Sequence, residues 1–449
     1  MSSPPSRATA SRRERWSWYM YDFGNSAYAA VVLLAVYSAY FKGTVVGGAE
    51  GSRLWGIAVG IAMLVVAVTS PVLGTLADFS GSKKRFLLFF TSLNVIFCGL
   101  LFFVQKGDWL IGMLFFVVAE IGYRSAQVFY NALLPEIADP EDMGRISGNG
   151  WAVGSLGGIV CLLIVLVPIV LTGSNPLVVR LSLVFTAIYF AASSLPLLFW
   201  LRERAVPQEL PEDDNYVTLA LKRLGETFRA ARELKEFIKF MVAFLIYNDG
   251  ILMTLNFAAI LGAVLHGMEQ QELIIFMIIV QVTSVVGAYL FGLLASDFGD
   301  KRALVASLLL MVVPVAWLMF SYSRLEFYFI GGLAGFALTG VQSVSRTMVG
   351  RLSPPEKSAE FYGFFAVTGR TSSFVGPTIF GLVAAEATEW YQEARQLAPL
   401  AAEQAGHRLA LISILVFLLA GLVLLLLVNE EDGRAAARSQ DSMGDAGAA

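Results

Sequence analysis

Charged residues are scarce in this chain: they fill 15% of 449 positions, against 57% hydrophobic ones, and the mean hydropathy is +0.67. That balance excludes an ordinary soluble domain. Histidine and cysteine number two each. Cys98 and Cys161 fall inside apolar runs, where they read as small buried side chains rather than a disulfide, and His266 and His407 fall near run ends, so no metal site is expected. No GxxxxGK[ST] string occurs, which argues against a P-loop and ATP-driven pumping. The net charge of -3 says little about partners, because the charges are segregated along the chain; neither a cofactor nor a nucleic-acid partner is expected.

What the chain has instead is apolar length. A helix needs roughly 20 apolar residues to cross a bilayer, and twelve such runs are present, at about 16–42, 54–77, 86–105, 109–133, 148–172, 178–201, 237–264, 273–296, 303–322, 326–350, 361–385 and 408–428. The first carries Asp22 in its interior and is too long for a cleaved signal, so it is read as a span. The implied fold is an all-α polytopic membrane protein, with the lipid bilayer as a partner.

The chain also repeats itself. Gly74 to Arg85 reads GTLADFSGSKKR and Gly292 to Arg302 reads GLLASDFGDKR, each closing one apolar run and opening the next. Tyr21-Asp22 and Tyr247-Asn248-Asp249-Gly250 open the first run of each half, and Gly148 with Gly154 is echoed by Gly363 with Gly369. Duplication of a six-helix unit predicts two pseudo-symmetric six-helix bundles, over 16–201 and 237–428, with a pathway between them. Residues 1–15 and 429–449 read as flexible tails, and 202–236 as a linker. Within that linker Leu221, Leu224, Phe228 and Ala231 recur at helical spacing opposite Lys222, Arg223, Arg229, Arg232 and Lys235, which suits either a helix on the membrane surface or a solvated connector. Placing the N-terminus in the cytoplasm puts 22 of the 32 Lys and Arg on that side and seven on the other, so both termini are expected to be cytoplasmic.

The sharpest chemical pattern is in the fourth run. Glu120, Arg124, Gln127 and Asn131 share one helix face. A charge facing lipid costs about 2.5–3.5 kcal/mol on insertion scales, so this stripe points into water or against partners. Glu120 and Arg124 are also spaced to neutralise each other along their own helix. In the first run Asp22, Asn25, Ser26 and Ala29 form a similar face, to which Tyr40 returns, and Tyr28 lies beside it. A carboxylate such as Asp22 can exchange a proton as its access alternates, which makes protons a candidate partner; alternatively it clamps neighbouring helices. Asn248 and Asp249 hold the related place in the seventh run. Gly335, Thr339, Gln342, Ser343 and Arg346 line one face of the tenth, and Arg370 stands on a face of the eleventh with Ser373 and Pro377. The duplicated loops supply the gating candidates: Gly74, Asp78, Gly81, Lys84 and Arg85, then Asp297, Gly299, Lys301 and Arg302. They read either as breakable ionic latches or as topogenic charge.

GTLADFSGSKKR resembles the signature loop of the major facilitator superfamily. WYMYDFGNSAY from Trp18, NALLPEI from Asn131, RISGNGWAVGSLGG from Arg145, YNDG from Tyr247 and GRTSSFVGP from Gly369 resemble the branch of fungal vacuolar amino-acid effluxers. The resemblance covers about 16–428 and implies a rocker-switch permease, with Asp78 bracing one half against the eleventh helix. The second loop departs from the pattern, being one residue longer from Gly292 to Asp297 and one shorter from Asp297 to Gly299.

These readings converge on a secondary transporter, not an enzyme, for a small polar or zwitterionic solute, with amino acids the leading class. A drug-like or lipid substrate is the alternative; a receptor or a membrane enzyme fits less well, since neither a signalling domain nor a converging nucleophile or metal set is visible. A monomer in a bacterial cytoplasmic membrane is expected.

Overall fold

The computed structural model describes residues 10–79, 81–138, 143–204, 215–353, 361, 364, 365, 368, 369 and 374–437. They form thirteen long helices with short connections. In the N-terminal half these are α1 (Arg12–Val46), α2 (Gly48–Phe79), α3 (Lys83–Leu100), α4 (Trp109–Ala132), α5 (Met143–Leu171) and α6 (Pro176–Trp200). A connecting helix, α7 (Tyr216–Glu233), leads to α8 (Lys235–His266), α9 (Gln270–Phe298), α10 (Asp300–Leu318), α11 (Arg324–Leu352), α12 (Val375–Arg395) and α13 (Pro399–Leu426). Eleven of these, α7 and α12 excepted, are long and apolar enough to cross a membrane among the described residues. The expected eleventh run, 361–385, lies partly outside those residues, and α12 is its described continuation.

The same five pairings build each half. In the first, α1 packs on α5 and α6, α3 on α4 and α6, and α2 on α4; in the second, α8 packs on α12 and α13, α10 on α11 and α13, and α9 on α11. The halves meet through α2 against α12 and α5 against α9, again a matched pair. This is a two-fold arrangement of two six-helix bundles, as the repeats imply.

Glycines at the contacts fix the register of the repeat. A Cβ on Gly157 would sit 2.1 Å from the Phe23 carbonyl oxygen, and one on Gly376 would sit 2.9 Å from that of Asp249. Seven residues earlier, Gly150 meets Trp18 and Gly369 meets Phe244. The structural equivalence is therefore Gly150 and Gly157 with Gly369 and Gly376, not the pairing of Gly148 and Gly154 with Gly363 and Gly369. Tyr21-Asp22-Phe23-Gly24 then matches Tyr247-Asn248-Asp249-Gly250, so the two aspartates are not equivalent.

Two further expectations change. Within α1, Ala29–Ala35 and Phe41–Val46 are wound as π-helix. The wider turns shift the helical phase, so Tyr40 does not return to the Asp22 face; its hydroxyl donates to the Val104 carbonyl at 3.0 Å inside the same half. The tails are ordered where described: Ser11 and Glu14 form a capping box that starts α1 four residues before the apolar run, and residues 430–437 continue helically beyond α13.

Candidate functional site

The end of the molecule away from the termini is sealed by contacts between the halves. The Lys42 ammonium lies 2.5 Å from the Glu403 carboxylate, with both side chains nearly buried. Ser52 Oγ and His407 Nε2 are 2.7 Å apart, Trp55 Nε1 donates to the Asn256 carbonyl at 2.9 Å, and Gln270 Nε2 donates to that of Ala35 at 2.9 Å. Below this seal α2 and α12 lie nearly backbone to backbone: a Cβ on Gly56 would come 2.5 Å from the Pro377 carbonyl oxygen. Sequence reasoning missed the seal, because Lys42 and Glu403 carry no motif and meet only through the fold.

Toward the termini, the polar faces open by steps. On α4 Glu120 is fully buried, the Arg124 side chain keeps 23% of its exposure, Gln127 is half-buried and Asn131 is exposed. On α11 Thr339 is buried, Gln342 half-buried and Arg346 exposed. On α1, which runs the other way, Asp22 is half-buried while Asn25 and Tyr28 are buried. Charges left against hydrocarbon would each cost about 2.5–3.5 kcal/mol, which disfavours lipid at the exposed ends of these stripes.

At the closed end of this gradient, Arg124 Nε donates to Glu120 Oε1 at 2.8 Å, the pairing along one helix that the spacing allowed. The guanidinium lies 5.1 Å from the Tyr123 ring, and the Tyr28 ring packs on Tyr123 with centroids 4.9 Å apart. The Tyr28 hydroxyl faces the same carboxylate. Asp22 accepts from Asn25 Nδ2 at 3.4 Å and fills the space that Gly154 leaves, 2.5 Å from the position of a Cβ there. Gln281 on α9, which the sequence reading did not single out, brings its amide nitrogen within 3.1 Å of the Cβ position of Gly158 across the α5–α9 contact, and meets no acceptor among the described residues.

The other candidates are distributed differently. Asn248 Nδ2 donates to the Gly369 carbonyl at 3.4 Å, and Asp249 is buried in the contact between α8 and α12. Arg370 and the side chain of Asp78 lie outside the described residues, and with them the expected brace from Asp78 to the eleventh helix. Gly74 stands in open space, and Arg85, Asp297 and Arg302 are exposed.

What the duplicated loops do within each half is clear. Gly81 and Gly299 turn at φ 55° and 90°, a region only glycine enters without strain. After the turn, the Lys83 and Lys84 amides donate to the Glu203 carboxylate, just as the Lys301 amide donates to Glu430 at 3.1 Å. Lys84 Nζ donates to the Leu201 carbonyl at 2.6 Å, and Lys301 Nζ to those of Leu426 and Val428 at 2.9 and 2.7 Å. Glu14 accepts the Arg202 amide at 3.2 Å as Glu236 accepts that of Asn429 at 2.6 Å. These charges tie the third helix of each half to the segment after its sixth; the described contacts stay inside one half. Asp300, not Asp297, is the buried acid of the second loop, paired with Arg351 and 3.9 Å from Arg434.

A family model described as Vacuole effluxer Atg22 like matches residues 55–438. The chain belongs to this family. A Bacillus subtilis MFS-type transporter, YxiO, is 27% identical over 437 residues, covering 95% of this chain and 97% of that one. Autophagy-related protein 22 of Yarrowia lipolytica is 26% identical over 421 residues, covering 74% and 70%. Among solved structures, a bacterial homolog of the human lysosomal transporter Spinster, in an inward-facing and unoccupied conformation, superposes with a TM-score of 0.70 at 15% identity over 97% of this chain and 99% of that one. The nucleoside transporter NupG gives 0.68 at 15%, over 92% and 98%. This Atg22-like protein thus has the major facilitator fold, and it is a membrane transporter rather than an enzyme.

Proposed function

We propose that the protein is a secondary transporter of a small zwitterionic solute, amino acids foremost, that works by alternating access and exports its substrate. The observation that carries this reading is the gradient on α1, α4 and α11, buried at the sealed end and exposed toward the termini, with opposite charges of Glu120 and Arg124 at its closed tip. A carboxylate and a guanidinium side by side offer matching contacts to the two charged ends of a zwitterion. Asp22, Asn25, Tyr28, Gln127, Asn131, Gln342 and Arg346 would line the approach, and Asn248, Asp249 and Arg370 would stand on the C-terminal half. Efflux comes from the family description and amino acids from the resemblance to the fungal branch. Asp22 is the candidate proton carrier, since it is half-buried and its carboxylate accepts a 3.4 Å bond from Asn25. Both termini would be cytoplasmic, in a bacterial inner membrane, with the monomer as the working unit.

Counterflow in proteoliposomes tests this. Labelled amino acids should exchange with and without a pH gradient, and concentrative uptake should need the gradient; exchange of none of them would overturn the substrate class. A drug-like or lipid substrate is the second reading, favoured by the Tyr28 and Tyr123 rings, and would show as lipid or drug counterflow in the same vesicles.

A further inference from the structure

We infer that α7, the helix joining the two halves, is a docking surface for an anionic membrane leaflet. It carries a stripe of apolar residues that the protein leaves uncovered: Val217 is 50% exposed, Leu221 61% and Phe228 52%. At roughly 100° per residue these three fall within about 40° of one another. Going round the helix from that stripe, Arg232 comes first, then Arg229 and Lys222, and only then Glu233 and Glu226, all of them exposed. Leu219 and Ala231, on the remaining side, are buried against the protein. The order apolar, basic, acidic is that of a helix lying in a membrane surface, where aliphatic chains enter the headgroup boundary and cations flank them at phosphate level. Water offers no reason to keep a phenylalanine and a leucine on an open face beside three cations.

Position supports the same occupant. Only Leu234 separates α7 from α8, a membrane-crossing helix, so the end of α7 that carries Phe228, Arg229 and Arg232 lies at the level where α8 leaves the bilayer. An Asn215 capping box starts the helix, so its length is set by local chemistry. The helix also touches both halves: it packs against α2, and the Phe228 ring lies 6.3 Å from that of Phe364. A leaflet that holds α7 therefore holds a link between the halves.

The test uses the full-length chain with Leu221→Cys carrying an environment-sensitive fluorophore; the native Cys98 and Cys161 are buried. In vesicles containing phosphatidylglycerol the label should be quenched by shallow lipid-borne nitroxides and shielded from aqueous iodide. Arg229→Gln and Arg232→Gln should each lower the ratio of docked to undocked helix by roughly 5-fold, the change that about 1 kcal/mol per basic residue converts to. High salt should act in the same direction. Full iodide access with no nitroxide quenching would overturn the proposal, as would energy transfer between labelled copies that rises with protein density, since a second copy would then cover the stripe. Far-UV spectra and thermal melting of the variants separate loss of docking from loss of fold.

Discussion

In the N-terminal half a carboxylate and a guanidinium share a hydrogen bond on α4; counting back equally from the Pro-Glu pair that follows each helix, α11 places Gly340 and Val344 there instead. Gly340 lets the Phe291 ring come within 2.3 Å of where a Cβ would lie, so the same site in the second half is a packing joint. The helix pairings and the braces at the loops were kept in both halves, as was a buried tyrosine on the first helix of each, although Tyr21 bonds Thr91 on α3 at 2.8 Å whereas Tyr247 bonds Ser345 on α11 at 2.7 Å. Chemistry diverged on a shared frame: at this site the first half holds an ion pair, and the second holds a glycine and a valine.

Arg124→Ala tests that contrast most severely. It leaves a wholly buried carboxylate without its counter-charge, which costs about 3–5 kcal/mol, and should show as a large fall in melting temperature together with loss of transport. The pair Glu120→Gln and Arg124→Gln should regain most of the stability while transport stays lost. Arg346→Ala, at an exposed position of α11, should cost under about 1 kcal/mol. Equal penalties at Arg124 and Arg346 would remove the distinction between the halves.

The glycine contacts offer the next comparison. Gly157→Ala should destabilise by about 1–3 kcal/mol, and Gly376→Ala by less, because the added methyl would press 2.1 Å from a carbonyl in the first half but 2.9 Å in the second. Chemical unfolding of the two variants reads this directly. At the sealed end, Lys42→Met with Glu403→Gln removes the nearly buried ion pair between the halves. Spin labels at Lys106→Cys and Glu269→Cys, one on each half, should then report a grown population at longer distance.

The smallest expected effect concerns the braces. Burial holds the Glu203 carboxyl above the usual carboxylate range, against the pull of the Lys83 and Lys84 amides. A raised value in the folded state means that the stability this group contributes is complete at acid pH and fades as pH climbs from the ordinary carboxylate range through the raised value. Glu203→Gln should flatten that slope in pH-dependent melting, while Glu430→Gln, the counterpart in the second half, should leave it in place.

Much of this was legible in the sequence, for identifiable reasons. Apolar runs set by bilayer thickness located the spans, and the 3.6-residue period on the fourth put Glu120, Arg124, Gln127 and Asn131 on one graded face. Helix ends were less legible: α12 runs on to Arg395 and α13 begins at Pro399, since helices can continue beyond the bilayer with charged residues such as Glu389 and Glu393. The π-helical turns of α1 broke the phase argument that carried Tyr40. Asp300 escaped notice because its counterpart in the first loop is Ser82. The contact of His407 with Ser52 joins residues hundreds of positions apart, and no local pattern encodes it.

The segment after α13 bears on how the protein can be handled. Arg434 reaches Glu430 and Asp300, the position of a Cβ on Gly433 lies 2.4 Å from Leu352, and Ala437 is 2% exposed. A purification handle or fluorescent reporter spliced in directly after Val428 would displace that peg from the underside of the second bundle and uncover Asp300. Joined beyond Ala437, the same fusion leaves the peg seated, so the choice of splice point decides whether a reporter observes the native protein or a loosened one.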